Sequence, residues 1–206
     1  MKNPIDLMLE YQLAARHYPG AVVHVEQDGR VLAHAVAGRL RGEGDAPMRE
    51  DALFRIASLS KAVVSVLTLM LVDEGLVGLD ALVTLPLANQ PGAAFRYGFA
   101  TDLAGLVVEK VTGRRLGEAL RERLLDPLGM VDTGFVVSDA DLDRLAGAHA
   151  SDKAWHGFDR MFRDGQAKGS PMHSGGGGLV STVADYAAFA RMLAGAEFTD
   201  EARAAA

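Results

Sequence analysis

Between Ser58 and Glu74 the chain reads SLSKAVVSVLTLMLVDE, and few positions in it are polar. A helix that is apolar around most of its circumference belongs inside other protein rather than at a surface. The rest of the chain must therefore supply a shell for it. Its apolar stretch, Ala62 to Val72, is too short to cross a bilayer and carries Ser65 and Thr68, so lipid is not the expected partner. Gly75 is placed to end the helix. With 206 residues, 49% of them hydrophobic, the chain is long enough to bury such an element in one core.

Helices dominate what is left. Apolar spacing predicts one near the N-terminus, in Ile5 to Ala14, stopped by Pro19-Gly20. Others are expected over Thr101–Val111, Leu116–Leu125 and Thr182–Leu193. The last opens on Thr182-Val183-Ala184-Asp185, the pattern of a capping box. Residues 138 to 172 are polar and irregular, with one weak helix near Asp139 to Leu145. Only two strands are clear. They flank Asp28-Gly29 in AVVHVEQDGRVLAHAVAG, a pair suited to a type I′ turn because both central residues need positive φ. A lone hairpin is marginal in water, so something must complete that sheet. The expected class is mixed α/β, of the α+β kind. A single domain is expected over 1–206: helix and hairpin in 1–45, a mainly helical lobe in 46–195 and a tail in 196–206.

Several functions are disfavoured. The formal net charge is −6, and the densest basic stretch, Arg114-Arg115 with Arg121 and Arg123, is interleaved with glutamates. Nucleic acid and anionic membrane are therefore not expected as partners. There is no cysteine, which removes disulfide and thiolate chemistry. His17, His24, His34 and His149 lack metal-ligand spacing, and neither a metal nor a cofactor is expected. The glycines of His173-Ser174-Gly175-Gly176-Gly177-Gly178 are not followed by Gly-Lys-Ser/Thr, and Met172 stands where a Gly-x-Ser-x-Gly elbow needs glycine. The N-terminus lacks the apolar core and cleavage site of a secretory signal, so a cytoplasmic location is expected.

Ser58 and Lys61 are the candidate pair for chemistry. If the helix starts near Ser58, Lys61 lies three residues on along the same face. Its amine then reaches the hydroxyl, while the unpaired N–H groups and positive end of the helix favour an alkoxide. A nucleophilic serine needs such a base within reach. Serine is also a favoured N-cap, so the tetrapeptide alone leaves both readings open. Ser60 has no lysine three residues later and reads as a cap or bystander.

The longer stretch PMREDALFRIASLSKAVVSVLTLMLVDEGLVGLDALV resembles the serine β-lactamase and penicillin-binding-protein superfamily, above all its class C-like esterase branch. A second similar block is QPGAAFRYGFATDLAGLVVEKVTGRRLGEALRERLLDPLGMVDTGF, and a third is HSGGGGLVSTVADYAAFARML. The three stand in the superfamily's order. The resemblance implies a β-lactamase/transpeptidase-like fold, with a helical lobe beside a reduced antiparallel sheet. It implies a serine hydrolase that forms an acyl-enzyme on Ser58, with Lys61 and Tyr97 moving the proton. The superfamily has asparagine two places after that tyrosine. Phe99 stands there instead and leans toward esters over β-lactams.

The long insertion between lysine and tyrosine is absent, as is the strand after the last matched helix that carries the third motif. His173-Ser174-Gly175 and Trp155-His156-Gly157 imitate that motif but precede the glycine turn. Phe99, His173, Ser174 and Gly175 are accordingly candidate substrate contacts. The expected activity is that of a carboxylesterase on small esters with weak or no β-lactamase activity, its substrate a small ester or amide. The alternative is a non-catalytic, shortened module that completes its sheet with a second copy.

Overall fold

The computed structural model describes residues 4–42, 44–78, 90, 93–94, 97–147 and 172–195. A first helix, α1 (Pro4–Ala14), leads into strands β1 (Gly20–Gln27) and β2 (Arg30–Gly38). They pair antiparallel, with Gly20 opposite Gly38 and a bulge between Val25 and Glu26. At the tip Asp28 and Gly29 have φ of 49° and 73°, the double positive φ expected of this turn.

The central helix α2 spans Ser60–Asp73. It starts two residues later than the simplest reading, because Ala57–Leu59 forms a tighter 3-10 turn ahead of it. Val63, Val64, Leu67 and Leu71, at helical spacing, are fully buried. They meet Val108 of α3 (Ala100–Thr112), Leu116 and Leu120 of α4 (Leu116–Leu120), and Leu124 and Met130 beyond it. Leu179 and Phe189, the latter from α5 (Val183–Leu193), close the cluster. The shell is incomplete among the described residues: Leu69, on the opposite side of α2, is 55% exposed. Among the described residues, burial is confined to one face of α2, whereas the composition leads to an expectation of burial all round.

The predicted helix over Leu116–Leu125 is present in two windings. After α4 the chain widens into a π-helical turn, Arg121–Leu125, a form that periodicity does not distinguish from α. The weak helix near Asp139 is a 3-10 segment, Asp139–Arg144. Arg144 holds it in place: its two terminal nitrogens donate to Asp132 at 2.9 and 2.6 Å, and one also reaches Asp141 at 3.0 Å.

Two short strands were not foreseen. β3 (Phe54–Arg55) pairs antiparallel with β4 (Val180–Ser181), Phe54 opposite Ser181. Bridges from Gly134 and Leu145 widen this small sheet. Two-residue strands carry no alternation to read. β1, in turn, has β2 as its one strand partner among the described residues. Between β1 and α5 lies a groove of about 640 Å³, bordered by His24, Glu26, Ile56, Leu59, Tyr186 and Arg191.

The start of α5 shows how a capping pattern is reused. Thr182 accepts from the Asp185 amide at 3.1 Å, as a capping box requires. The Asp185 carboxylate turns elsewhere, accepting from the Asp132 amide at 2.9 Å and the Thr133 hydroxyl at 2.8 Å. Burial pushes the Asp185 carboxyl above its ordinary range, against these hydrogen bonds. Asp185→Ala strands one buried and one part-buried donor and is expected to lower stability by about 1–3 kcal/mol. Asp185→Asn, which keeps one accepting oxygen, should lose less; urea melts of the two variants compare them.

Candidate active site

β3 delivers the chain to the serine, and Leu179 fixes it on both sides. The Ile56 amide donates to the Leu179 carbonyl at 3.1 Å. The Leu179 amide donates to Ser60 Oγ at 3.2 Å. Ser60 is fully buried, and the helix N-cap is Leu59. Ser60 is therefore neither a cap nor a bystander; it joins the first turn of α2 to the strap that carries β4. Between these anchors Ala57 has φ of 44°. The left-handed region costs an L-residue roughly 1–2 kcal/mol, and such strain persists where the surroundings over-determine it, often at functional sites.

Ser58 and Lys61 meet as their spacing predicts, with Lys61 Nζ donating to Ser58 Oγ at 3.1 Å. Tyr97, separated from the start of α3 by Gly98 and Phe99, brings its hydroxyl to 2.5 Å from Ser58 Oγ. Lys61 Nζ also stands 4.8 Å from the centre of the Tyr97 ring. The neighbouring Lys61 amine and then the Ser58 hydroxyl hold the Tyr97 phenol below its ordinary range. Three groups from two parts of the chain thus form one hydrogen-bonded cluster. It faces outward, with Tyr97 68% exposed. A hydroxyl between an amine and an acidified phenol can lose its proton to a neighbour and regain it there. Those are the two movements acyl transfer needs.

The glycine turn supplies a fourth partner that was not foreseen. The Gly176 carbonyl accepts from Lys61 Nζ at 2.5 Å. A backbone oxygen leaves no trace in residue type, so no sequence signal marks it. The other candidates lie around this turn. Ser174 Oγ donates to Asp102 Oδ1 at 2.6 Å. Gly175 packs so closely on α3 that a Cβ there would sit 2.5 Å from the Thr101 carbonyl. His173 is turned to packing: Nδ1 accepts from the Gly117 amide at 3.0 Å, and the ring stacks on Phe135 at 4.4 Å. Burial pushes its imidazole below the ordinary range, favouring the neutral form that can accept. Phe99 is 81% exposed at the N-cap of α3. Trp155-His156-Gly157 and His149 lie outside the described residues.

The beta-lactamase family model matches residues 5–85 and 79–206. The chain belongs to the beta-lactamase family. It is 27% identical to esterase EstB of Burkholderia gladioli, over 66% of this chain and 52% of that one. It is 37% identical to the lovastatin esterase of Penicillium rubens, over 55% of this chain and 29% of that one. An uncharacterized protein of Mycobacterium tuberculosis shares 40% identity over 62% of this chain and 32% of its own. The chain thus spans about half or less of these relatives.

Among solved structures, EstCE1, titled a hydrolase with promiscuous acyltransferase activity, superposes with a TM-score of 0.80 at 19% identity. The match covers 94% of this chain and 72% of that one. A class C beta lactamase from Rhodobacter sphaeroides gives 0.72 at 20% identity, covering 99% and 69%. The expected β-lactamase/transpeptidase-like fold is therefore present. No described helix is long and apolar enough to cross a membrane.

Proposed function

We propose that the chain is a serine hydrolase of the esterase kind, working through an acyl-enzyme on Ser58. The carrying observation is the cluster itself: one hydroxyl contacted by Lys61 Nζ at 3.1 Å and by the Tyr97 hydroxyl at 2.5 Å. Ser58 Oγ attacks the ester carbonyl as its proton passes to Tyr97, whose phenolate is held by Lys61. The tetrahedral intermediate collapses, and the same proton leaves with the alcohol. Water then repeats the sequence on the acyl-enzyme, releasing the acid and restoring the serine. Esterases among the relatives support this direction of chemistry.

Esters are favoured over β-lactams and amides for two reasons. An activated alcohol departs with little help from an acid, whereas an amide nitrogen must be protonated. Phe99, standing in place of asparagine, offers no side-chain amide to a substrate amide. Turnover of p-nitrophenyl acetate and of a chromogenic cephalosporin, measured side by side, should show hydrolysis of the first and little or none of the second. Efficient cephalosporin hydrolysis overturns the ester reading.

A second reading rests on β1. Its single strand partner among the described residues and the adjacent groove fit addition of a strand from a second copy. Light scattering behind gel filtration tests this: a dimer mass supports strand sharing, and a monomer at all concentrations rejects it.

A further inference from the structure

Asp102 sits in the first turn of α3, five residues after Tyr97, and its carboxylate is aimed at the glycine turn. One oxygen, Oδ1, takes both hydrogen bonds that define the turn's position: Ser174 Oγ at 2.6 Å and the Gly176 amide at 3.3 Å. The other, Oδ2, lies so close over the Gly176 Cα that any Cβ at this position would collide with it. The turn is closed on its far side by the Gly178 amide, which donates to the Ser174 carbonyl at 2.9 Å. Gly176 is thus gripped at its amide by Asp102 and presents its carbonyl to Lys61 Nζ at 2.5 Å. Lys61 in turn touches the Ser58 hydroxyl.

The carboxylate hydrogen-bonds Ser174 and Gly176 rather than Ser58, Lys61 or Tyr97, so its path to them runs through one residue, Gly176, held at its amide and offering its carbonyl. Only Gly98 and Phe99 separate Tyr97 from α3, so one stretch of chain entering the helix carries both the tyrosine and the group that fixes the lysine's acceptor. The glycine turn has buried glycines at 175 and 176, and without this anchor nothing in its own side chains would hold the Gly176 carbonyl in one direction.

We propose that Asp102 is a positioning residue for Lys61: by clamping Ser174 and the Gly176 amide, it aims the Gly176 carbonyl that holds the lysine amine beside Ser58. The inference rests on the reading of Ser58, Lys61 and Tyr97 given above. It makes Asp102 matter to the reaction without touching substrate, and makes its effect depend on Lys61 being present.

The test is a double-mutant cycle read by the rate of fluorophosphonate labelling at Ser58 and by kcat and KM on p-nitrophenyl acetate. Asp102→Ala removes the acceptor of two hydrogen bonds to a charged group and is expected to slow labelling about ten- to a hundredfold, with the ester loss in kcat rather than KM. Asp102→Asn keeps an oxygen in place and should recover most of that rate. Ser174→Ala, which releases one of the two bonds, should show a smaller loss in the same sense. In a Lys61→Ala background the Asp102→Ala change should have no further effect, the non-additivity of residues acting in one chain of contacts.

Circular dichroism melts establish that each variant is folded; should Asp102→Ala fail this check, Asp102→Asn and Ser174→Ala carry the same comparison against Lys61→Ala. Equal losses in the two backgrounds mark Asp102 as merely structural and overturn the inference. Unchanged labelling in Asp102→Ala, with the wild-type chain labelled at Ser58, overturns it as well. A wild-type chain that takes no label overturns the site reading beneath it.

Discussion

Ser58→Ala is expected to abolish fluorophosphonate labelling and ester turnover while leaving the fold intact. The substitution removes one oxygen from an outward-facing turn. It takes no atom from the core and leaves Ser60, whose hydroxyl binds the Leu179 amide, in place. The loss should be complete rather than partial, because among the described residues no other serine or threonine hydroxyl contacts Lys61. Ser60 is fully buried and occupied, and Ser174 is held by Asp102. Mass spectrometry of the labelled wild-type chain should place the adduct on the peptide containing Ser58. An adduct on Ser60 or Ser174, or a label retained in Ser58→Ala, defeats the assignment.

Lys61→Ala and Tyr97→Phe are each expected to reduce turnover at least about a hundredfold, the lower range for positioned proton-transfer groups. The two should fail differently. Lys61→Ala removes the amine that holds both Ser58 Oγ and the acidified phenol, so the remaining tyrosine reverts toward an ordinary phenol, with its proton retained to about pH 10. Tyr97→Phe removes the group closest to the serine and leaves the amine anchored on Gly176. In the wild type, Lys61 and Ser58 hold the phenol below its ordinary range, so its ionised form appears at lower pH than in a free tyrosine. The labelling rate should therefore rise with pH and level off before the free-phenol range. That limb should shift upward in Lys61→Ala and vanish in Tyr97→Phe. Near-normal turnover in Tyr97→Phe shows that the ring only packs.

What could be read from residue order alone was whatever is encoded within a few positions. Asp28-Gly29 announces its turn because positive φ is a property of those two residues. Ser58 and Lys61 are three apart on one turn, and the pairing follows from helical geometry. Thr182 announces a cap because the amide it binds is three residues on. The misses around the site involve partners distant in the chain. Ser60 looked idle because its partner is the Leu179 amide. The Asp185 carboxylate looked like half of a capping box, yet its ligands, Asp132 and Thr133, come from another loop. His173 looked like a motif histidine, whereas Phe135 and Gly117 decide its place. Asp102 carried no signal beyond an acid in the first turn of a helix, a common occurrence.

The double anchoring of the serine turn by Leu179 has a consequence for the order of folding. The bond from Leu179 to Ser60 joins positions 119 apart in the chain. Closing so long a loop is an entropic expense that local contacts cannot meet, so such pairings form late and together with the global structure. A nascent or partly unfolded chain therefore has Ser58 and Lys61 near each other in sequence but no strap to hold the strained Ala57 turn and no Gly176 carbonyl to receive the lysine. The reacting serine comes into being only as the last long-range contacts close, which couples the capacity to be acylated to completion of the fold.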